Sequence, residues 1–70
     1  MKLWKGQVWV NDRGRTVVIG DINNHHTYAT FSEYGGEACY SYDGLLLYMN
    51  RNGYKLSKKS IIQEFFNTCN

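Results

Sequence analysis

The residue types in this 70-residue chain that could hold a metal or act as a nucleophile are histidine and cysteine. His25 and His26 are adjacent, whereas the two cysteines, Cys39 and Cys69, stand far apart in the sequence. Structural zinc usually takes its ligands from closely spaced pairs, and neighbouring residues of a strand point to opposite faces of a sheet. We therefore interpret the histidines as polar residues of a solvated turn and predict neither a metal nor any other cofactor.

The other patterns that could support catalysis are weak as well. A nucleophilic Cys or Ser needs a base beside it, and no nearby residue in the sequence supplies one. The Gly35–Gly36 pair is followed by Glu37, whose charge would repel a phosphate group. Because isolated thiols without a secretion signal are expected to stay reduced, we interpret Cys39 and Cys69 as small buried apolar residues. We predict that the protein is not an enzyme.

Charge is distributed unevenly along a chain whose formal net charge is only +2. Residues 21–50 contain four acidic residues and no Lys or Arg, whereas both flanking segments are basic. In a small barrel the first and last strands lie close together, so the flanking cations could form one patch, with Trp4 or Trp9 available for stacking. The candidate nucleic-acid-binding residues are Arg13, Arg15, Arg51, Lys55, Lys58 and Lys59. The alternative interpretation is a solvated charged rim.

Tyrosines are concentrated in the acidic segment, where five of the six occur. Tyrosine offers a large contact area at a low entropic cost and is enriched at protein interfaces. On two adjacent strands, alternate tyrosines would build a ladder with an acidic border, which suits a basic protein surface. The candidate protein-binding residues are Tyr28, Tyr34, Glu37, Tyr40 and Tyr42. The alternative interpretation places Tyr40 and Tyr42 in the core.

Short strands must position these residues, and the first two strands are the clearest. Val8–Val10 and the β-branched run Thr16–Ile19 are typical of strands, and the turn formers between them include Gly14. We predict a hairpin of strands over residues 7–11 and 15–22. A bulge at residues 20–21 would return Ile22 to the core. The residues expected to face inward are Val8, Val10, Val17 and Ile19.

Two further strands and a helical turn are predicted to follow. Residues 26–34 and 37–42 are predicted strands, the first with Thr27, Ala29 and Phe31 inward. Asp43 is a good N-cap for one or two helical turns that reach residue 49. Residues 54–56 are predicted to form a short closing strand with Leu56 inward.

The last predicted element is an amphipathic helix over about residues 58–69, capped by Ser57. Its apolar stripe consists of Ile61, Ile62, Phe65, Phe66 and Cys69. We expect Ile61, Ile62 and Phe65 to be buried, either against the barrel or against a second copy of the chain, which would make the protein a homodimer.

Five short strands with a helical turn before the last predict a mainly β fold, namely an SH3-like five-stranded small barrel over about residues 3–56. The motifs along residues 6–56 are Gly6-x-Val8-Trp9, Gly14-Arg15-x-Val17-x-Ile19, the Gly35–Gly36 turn and Tyr54-Lys55-Leu56. This pattern resembles the small SH3-like barrel proteins that are common in phages and prophages. The resemblance implies a fold and a phage-type setting more than an activity.

Composition sets the broad class of the protein. Aromatic residues make up 16% of the chain, which is not typical of disorder, and the longest apolar run, Leu45–Met49, is far too short to span a membrane. We expect a single cytoplasmic domain over residues 1–70, because residues 1–5 lack the apolar core of a signal peptide. The principal hypothesis is a phage-type accessory protein that binds and blocks or redirects a host protein. The alternative hypothesis is nucleic-acid binding through the basic residues.

Overall fold

The computed structural model describes residues 2–68, with side chains described up to Phe66. The described residues form five strands and two helices: β1 (Val8–Val10), β2 (Thr16–Ile22), β3 (Thr27–Phe31), β4 (Glu37–Tyr40), α1 (Tyr42–Arg51), β5 (Lys55–Leu56) and α2 (Lys58–Thr68). Within this part of the chain, neither helix has the length and apolar composition that a membrane span requires. Cys69, which we assigned to the apolar stripe of the last helix, lies outside the described residues.

All five strands belong to one antiparallel sheet with the order β4-β3-β2-β1-β5. The predicted first hairpin is confirmed as the pair β1–β2. Its turn is held by Asn11, whose Oδ1 accepts the backbone N–H of Arg13 at 3.0 Å and that of Arg15 at 2.9 Å. Gly14 completes the turn with a φ of +78°, a conformation that favours glycine.

Strand β1 turns its tryptophan, and not its valines, toward the core. Trp9 is 4% exposed and lies opposite the buried Val17, whereas Val8 and Val10 are only half-buried. The expectation that Val8 and Val10 face inward is therefore wrong. The indole ring can be buried because its polar N–H has a partner: Nε1 of Trp9 donates to Oε1 of the fully buried Gln7 at 2.9 Å.

Strand β2 carries the predicted bulge, but the bulge does not return Ile22 to the core. The pairing of β2 with β3 is regular from Val17 to Ile19 and shifts before Ile22. Ile19 is 1% exposed, whereas Ile22 is 36% exposed. The strand ends at Ile22 because the chain turns there. Oδ1 of Asn23 accepts the backbone N–H of His25 at 2.9 Å and that of His26 at 2.8 Å.

Strand β3 is shorter than predicted, although its inward-facing residues are correct. Thr27, Ala29 and Phe31 are all buried. The strand ends at Phe31, whose carbonyl accepts the backbone N–H of both Tyr34 and Gly35 in the turn toward β4. Tyr34 therefore belongs to this turn and not to a strand.

Helix α1 completes the core in place of a closed barrel. It begins at Tyr42 because Oγ of Ser41 accepts the N–H of Gly44 at 3.1 Å, so the helix starts earlier and extends further than the turn predicted from Asp43. Strands β4 and β5 are the two edges of the sheet, which is open, so the expected barrel closure is not observed. A ten-residue helix covers the apolar face that strand closure would otherwise have to cover.

The core lies between one face of the sheet and α1. Its buried apolar members are Leu3, Trp9, Val17, Ile19, Ala29, Phe31, Leu45, Met49 and Tyr54. Leu56, which we expected to face inward, packs against this cluster while remaining partly exposed. The mainly β class is therefore confirmed, in the form of a small antiparallel sheet with two helices.

Helix α2 follows Ser57 as predicted, and Oγ of Ser57 accepts the N–H of Ser60 at 3.2 Å. Its contact with the sheet is polar, because Oγ of the buried Ser60 accepts the N–H of Val8 at 2.7 Å. The apolar residues of the helix face away from the sheet and are 52–64% exposed to solvent: Ile61, Ile62, Phe65 and Phe66. The expectation that this stripe packs on the barrel is therefore wrong.

Ile19→Ala is expected to lower the free energy of unfolding by about 2–5 kcal/mol, because it empties a fully packed core position. Ile22→Ala is the matched control on the same strand and should cost less than about 1 kcal/mol, because Ile22 already contacts solvent. Chemical denaturation of the two variants measures both values. Equal losses would contradict the strand register on either side of the bulge.

Gln7→Leu is expected to lower the free energy of unfolding by about 1–3 kcal/mol, because it leaves the buried N–H of Trp9 without its acceptor. The double variant Gln7→Leu/Trp9→Phe removes the donor as well and should recover part of this loss. Denaturation of both single variants and the double variant gives the coupling between the two side chains. Strict additivity of the two losses would show that this hydrogen bond does not stabilise the core.

Candidate protein-binding surface

Phe31, at the end of β3, is the centre of a cluster of tyrosine rings. Its ring centroid lies 5.5 Å from that of Tyr48, 5.7 Å from Tyr40, 6.0 Å from Tyr34 and 6.3 Å from Tyr54. The interplanar angles lie between 57° and 88°, which are the tilted and edge-to-face arrangements that aromatic pairs prefer. The four tyrosines come from four different segments, so the cluster ties these segments to the sheet.

The aromatic cluster has a buried side and a solvent-facing side. Phe31 and Tyr54 are buried and Tyr40 is half-buried, whereas Tyr48 is 41% exposed and Tyr34 is 69% exposed. We call Tyr34, Tyr40 and Tyr48 the tyrosine surface. Because its rings pack on the buried Phe31, this surface is held in place and loses little side-chain entropy when a ligand covers it.

Two tyrosines of the aromatic cluster, Tyr34 and Tyr54, have raised pKa values. The pKa of Tyr34 is raised, first because its side chain is hydrogen-bonded to that of Tyr48 and second because of the negative charge of Glu33. Burial raises the pKa of Tyr54, and Glu33 adds to this effect. Glu33 itself forms an ion pair with Arg15. Tyr34 therefore stays a neutral phenol, which can donate and accept hydrogen bonds, over a wider range of pH than an ordinary tyrosine.

Strand β4 lies at an edge of the sheet, beside the tyrosine surface. It pairs with β3 on one side, and its other side pairs with no strand of the described residues. Ala38 is opposite the buried Ala29 and so belongs to the core-facing side of the sheet, yet it is exposed. An unpaired edge is a template for a further strand, whose side chains would here lie beside Ala38 and Tyr40.

The predicted tyrosine ladder does not form, because its members lie on opposite faces of the sheet. Tyr28 pairs with Cys39, which is the neighbour of Tyr40 on β4. Because successive residues of a strand point to opposite faces, Tyr28 and Cys39 point away from the core, whereas Tyr40 points toward it. Glu37 shares this outer face, and its carboxylate lies over Gly20, where an added Cβ would come within 2.6 Å of it. The structure therefore brings Tyr34 and Tyr40 together and separates them from Tyr28 and Glu37.

Tyr42 contributes to the fold and is not part of the tyrosine surface. Its hydroxyl accepts the backbone N–H of Leu3 at 2.7 Å, and its ring packs against the core cluster. This contact holds the segment before β1 to the first turn of α1. Tyr40 and Tyr42, which the alternative interpretation placed in the core, are half-buried and pack against the core cluster.

Tyr48 is the surface residue that sequence reasoning missed. The sequence predicted only one or two helical turns here, whereas α1 is ten residues long. Tyr48 lies three residues after Leu45 and immediately before Met49, which are both fully buried, so helical spacing puts it at the border of the buried face. Its contact with Phe31 depends on how α1 packs on β3.

Four of the six basic candidates lie toward the end of β1 that leads into the first turn. Lys55 is opposite Val10, and Arg13 belongs to the turn that starts at the next residue. Arg51 is the last residue of α1, and Arg15 is engaged with Glu33. Arg13, Arg15 and Lys55 are therefore close in the fold, but Arg15 is already paired with Glu33.

The remaining two basic candidates, Lys58 and Lys59, lie at the start of α2, toward the other end of β1. Lys59 lines a groove of about 390 Å³ together with Trp4 and Lys5, and Lys5 forms an ion pair with Asp21 at 2.8 Å. Trp9 is buried, so Trp4 is the tryptophan available to stack on a base. The basic residues thus form two groups and not one patch.

The histidines lie in an exposed turn, as predicted, and the described residues contain no group of three or more His, Cys, Asp or Glu that could hold a metal ion. Cys39 is a free and exposed thiol on β4, so the expectation that it is buried is wrong. The expectation for Cys69 falls outside the described residues.

The raised pKa values of Tyr34 and Tyr54 predict a loss of stability at high pH. A phenol whose pKa is higher in the folded state stabilises the fold below the ordinary tyrosine pKa of about 10, and this contribution is lost as the pH rises through the folded-state pKa. We therefore expect the thermal midpoint to fall above about pH 10. Thermal melts across this range measure the effect.

Tyr48→Phe tests the cause assigned to Tyr34, because it removes the hydrogen bond and leaves an aromatic ring against Phe31. The pKa of Tyr34, followed by NMR of the tyrosine ring carbons, should move toward its ordinary value. Tyr54→Phe is the matched control and should leave most of the shift in place. An unchanged Tyr34 in Tyr48→Phe would contradict this assignment.

Comparisons with protein-family models, with curated proteins and with solved structures find no match for this chain. The features on which a functional proposal can be built are therefore the residues and the geometry of the chain itself.

Proposed function

We propose that this protein is a non-enzymatic binding module that accepts an extended basic segment of a partner protein as a further strand along β4. The observation that supports this proposal is the edge of β4 that pairs with no strand of the described residues, with the tyrosine surface on its core-facing side. Strand addition takes its affinity from main-chain hydrogen bonds and its specificity from pockets for alternate side chains. Both elements are available here.

The tyrosine surface provides the contact for those alternate side chains. An added strand that pairs with β4 places every second side chain on the core-facing side, beside Ala38 and Tyr40. Tyr34 and Tyr48 lie around the same Phe31 ring and offer both aromatic area and phenol groups. Anchors of this type are the interface residues whose truncation most reduces affinity.

The charge of the segment favours a basic partner. Residues 21–50 contain no Lys or Arg, and two of their four acids are paired with cations from outside the segment, Lys5 and Arg15. The other two, Glu37 and Asp43, are exposed and form no ion pair within 4.0 Å among the described residues. Opposite charge across an interface speeds association and selects the partner.

The proposal also keeps the inference from the sequence that this is a phage-type accessory protein that acts on a host protein. In a phage-type accessory protein of the SH3-like kind, capture of an extended host segment would block or redirect the host protein that supplies it. The alternative is nucleic-acid binding, and the feature that favours it is the groove where Trp4 lies beside Lys5 and Lys59.

Selection of random octapeptides from a display library tests the strand-addition proposal. We expect the recovered peptides to be rich in Lys or Arg and in β-branched residues, and we expect a synthetic peptide of that sequence to shift the amide NMR signals of residues 37–40. Acidic peptides, or shifts confined to other strands, would contradict the proposed site.

Tyr34→Ala should weaken binding of the selected peptide by at least about thirtyfold, which corresponds to the roughly 2 kcal/mol expected of an aromatic anchor. The fold should be retained, because Tyr34 is largely exposed. Tyr28→Ala is the matched control, since Tyr28 lies on the opposite face of the sheet, on β3 next to the edge strand, and this variant should bind the peptide normally.

A single-stranded oligonucleotide is the probe for the alternative function. Micromolar binding that falls steeply with salt and is lost in Arg13→Glu or Lys59→Glu would favour nucleic-acid binding, because phosphate contacts release counterions. Arg15 is not used for this test, because its substitution would also disturb Glu33.

A further inference from the structure

We propose that two copies of this chain form a two-fold symmetric dimer in which their α2 helices pack antiparallel through the apolar stripe Ile61, Ile62, Phe65 and Phe66. These four side chains are 52–64% exposed in the single chain. They occupy neighbouring positions on one side of the helix, at i, i+1, i+4 and i+5. The proposal is independent of the binding function assigned to β4.

The stripe is presented in a fixed orientation, because the opposite side of α2 is tied to the sheet. Oγ of Ser60 accepts the N–H of Val8, and the N–H of Ser57 donates to the carbonyl of Val8 at 2.9 Å. Glu64 is half-buried and lies away from the stripe on the helix. A partner on the stripe therefore meets an apolar surface without having to bury this carboxylate.

The size of the stripe fits a second copy. Two Ile and two Phe side chains with more than half of their area exposed leave on the order of 500 Å² of apolar surface per chain, which lies toward the upper end of the largest patch on a typical monomer, and such patches often mark a contact surface. Covering the stripe in both copies removes roughly 1,000 Å² from water, the lower limit for a specific interface.

The stripe is also complementary to itself when the helices run antiparallel. A two-fold axis through its middle, between residues 63 and 64, sets Ile61 opposite Phe66 and Ile62 opposite Phe65 of the other copy. Each branched aliphatic side chain then meets a ring, which allows the two surfaces to interdigitate.

Charge favours the antiparallel arrangement as well. Lys58 lies on the same line of the helix as Ile62 and Phe65, at the N-terminal end of the stripe. In an antiparallel pair it reaches the C-terminal end of the other α2, where the helix dipole favours a cation. In a parallel pair the two Lys58 side chains would face each other.

The dimer leaves the proposed peptide site accessible. β4 is one edge of the sheet. The other edge is formed by the two-residue strand β5, and α2 follows β5 and contacts β1 at Val8 on that same side. The dimer therefore presents two β4 edges. A variant that no longer dimerises through α2 can still bind a peptide at β4, and a variant that no longer binds the peptide can still dimerise.

Sedimentation velocity over roughly 1–200 µM protein tests the dimer. We expect a mass near twice the 8.2 kDa of the chain at the upper end of this range. Ile62→Glu should be monomeric and, at a protein concentration where the unaltered chain is also monomeric, should have the same thermal midpoint, because Ile62 is exposed within its own chain. Leu47→Glu introduces the same charge at a similarly exposed apolar residue of α1 and should stay dimeric. If Ile62→Glu does not fold, Ile61→Ser makes the same test with a smaller change.

Lys58→Glu tests the direction of packing and should raise the dimer dissociation constant about fivefold, while Arg13→Glu, which makes the same charge change in the exposed β1–β2 turn, should not change it. A chain that is monomeric throughout, or an Ile62→Glu variant that stays dimeric, would overturn the proposal. Binding of a monomer to phosphatidylserine vesicles through the stripe would also overturn it by identifying a membrane surface as the occupant. An unchanged dissociation constant in Lys58→Glu would rule out the antiparallel arrangement.

Discussion

The packing of Tyr40, Tyr48 and Tyr54 on Phe31 is the interaction on which this small structure most depends. One buried ring at the end of β3 contacts side chains from the β3–β4 turn, β4, α1 and the residue before β5. A sheet of two- to seven-residue strands has few backbone hydrogen bonds with which to fix its elements. The aromatic cluster supplies that order, and its outer rings are at the same time the most accessible aromatic surface beside β4.

A few polar contacts decide how the remaining elements are oriented. The bond between Gln7 and Trp9 lets an indole ring fill the core where two valines were expected. The bond between Ser60 and Val8 fixes α2 by its polar side, which covers the exposed edge of β1 and turns the apolar stripe outward. In both cases a hydrogen bond to a buried group fixes the orientation of the element, since an unsatisfied buried donor is costly.

The two proposed contacts therefore lie at opposite edges of one sheet. The β4 edge offers backbone groups, phenols and acidic side chains, which suit an extended basic segment. The α2 edge offers an apolar stripe with Lys58 at its N-terminal end, which suits a second copy in the antiparallel direction. A dimer with two outward-facing β4 edges would engage a partner that carries two such segments more tightly than either edge alone, because the second contact becomes intramolecular.

The sequence by itself determined the local elements: the first hairpin with its Gly14 turn, the bulge in β2, the inward residues of β3 and the start of α2 after Ser57. These depend on turn formers, caps and alternation within a few residues. The tertiary structure alone decided the facing of β1, the separation of Tyr28 from Tyr40 and the outward direction of the α2 stripe. A shift of one residue in strand pairing exchanges the two faces of a strand, and an apolar helix face has the same pattern whether it meets a core or another molecule.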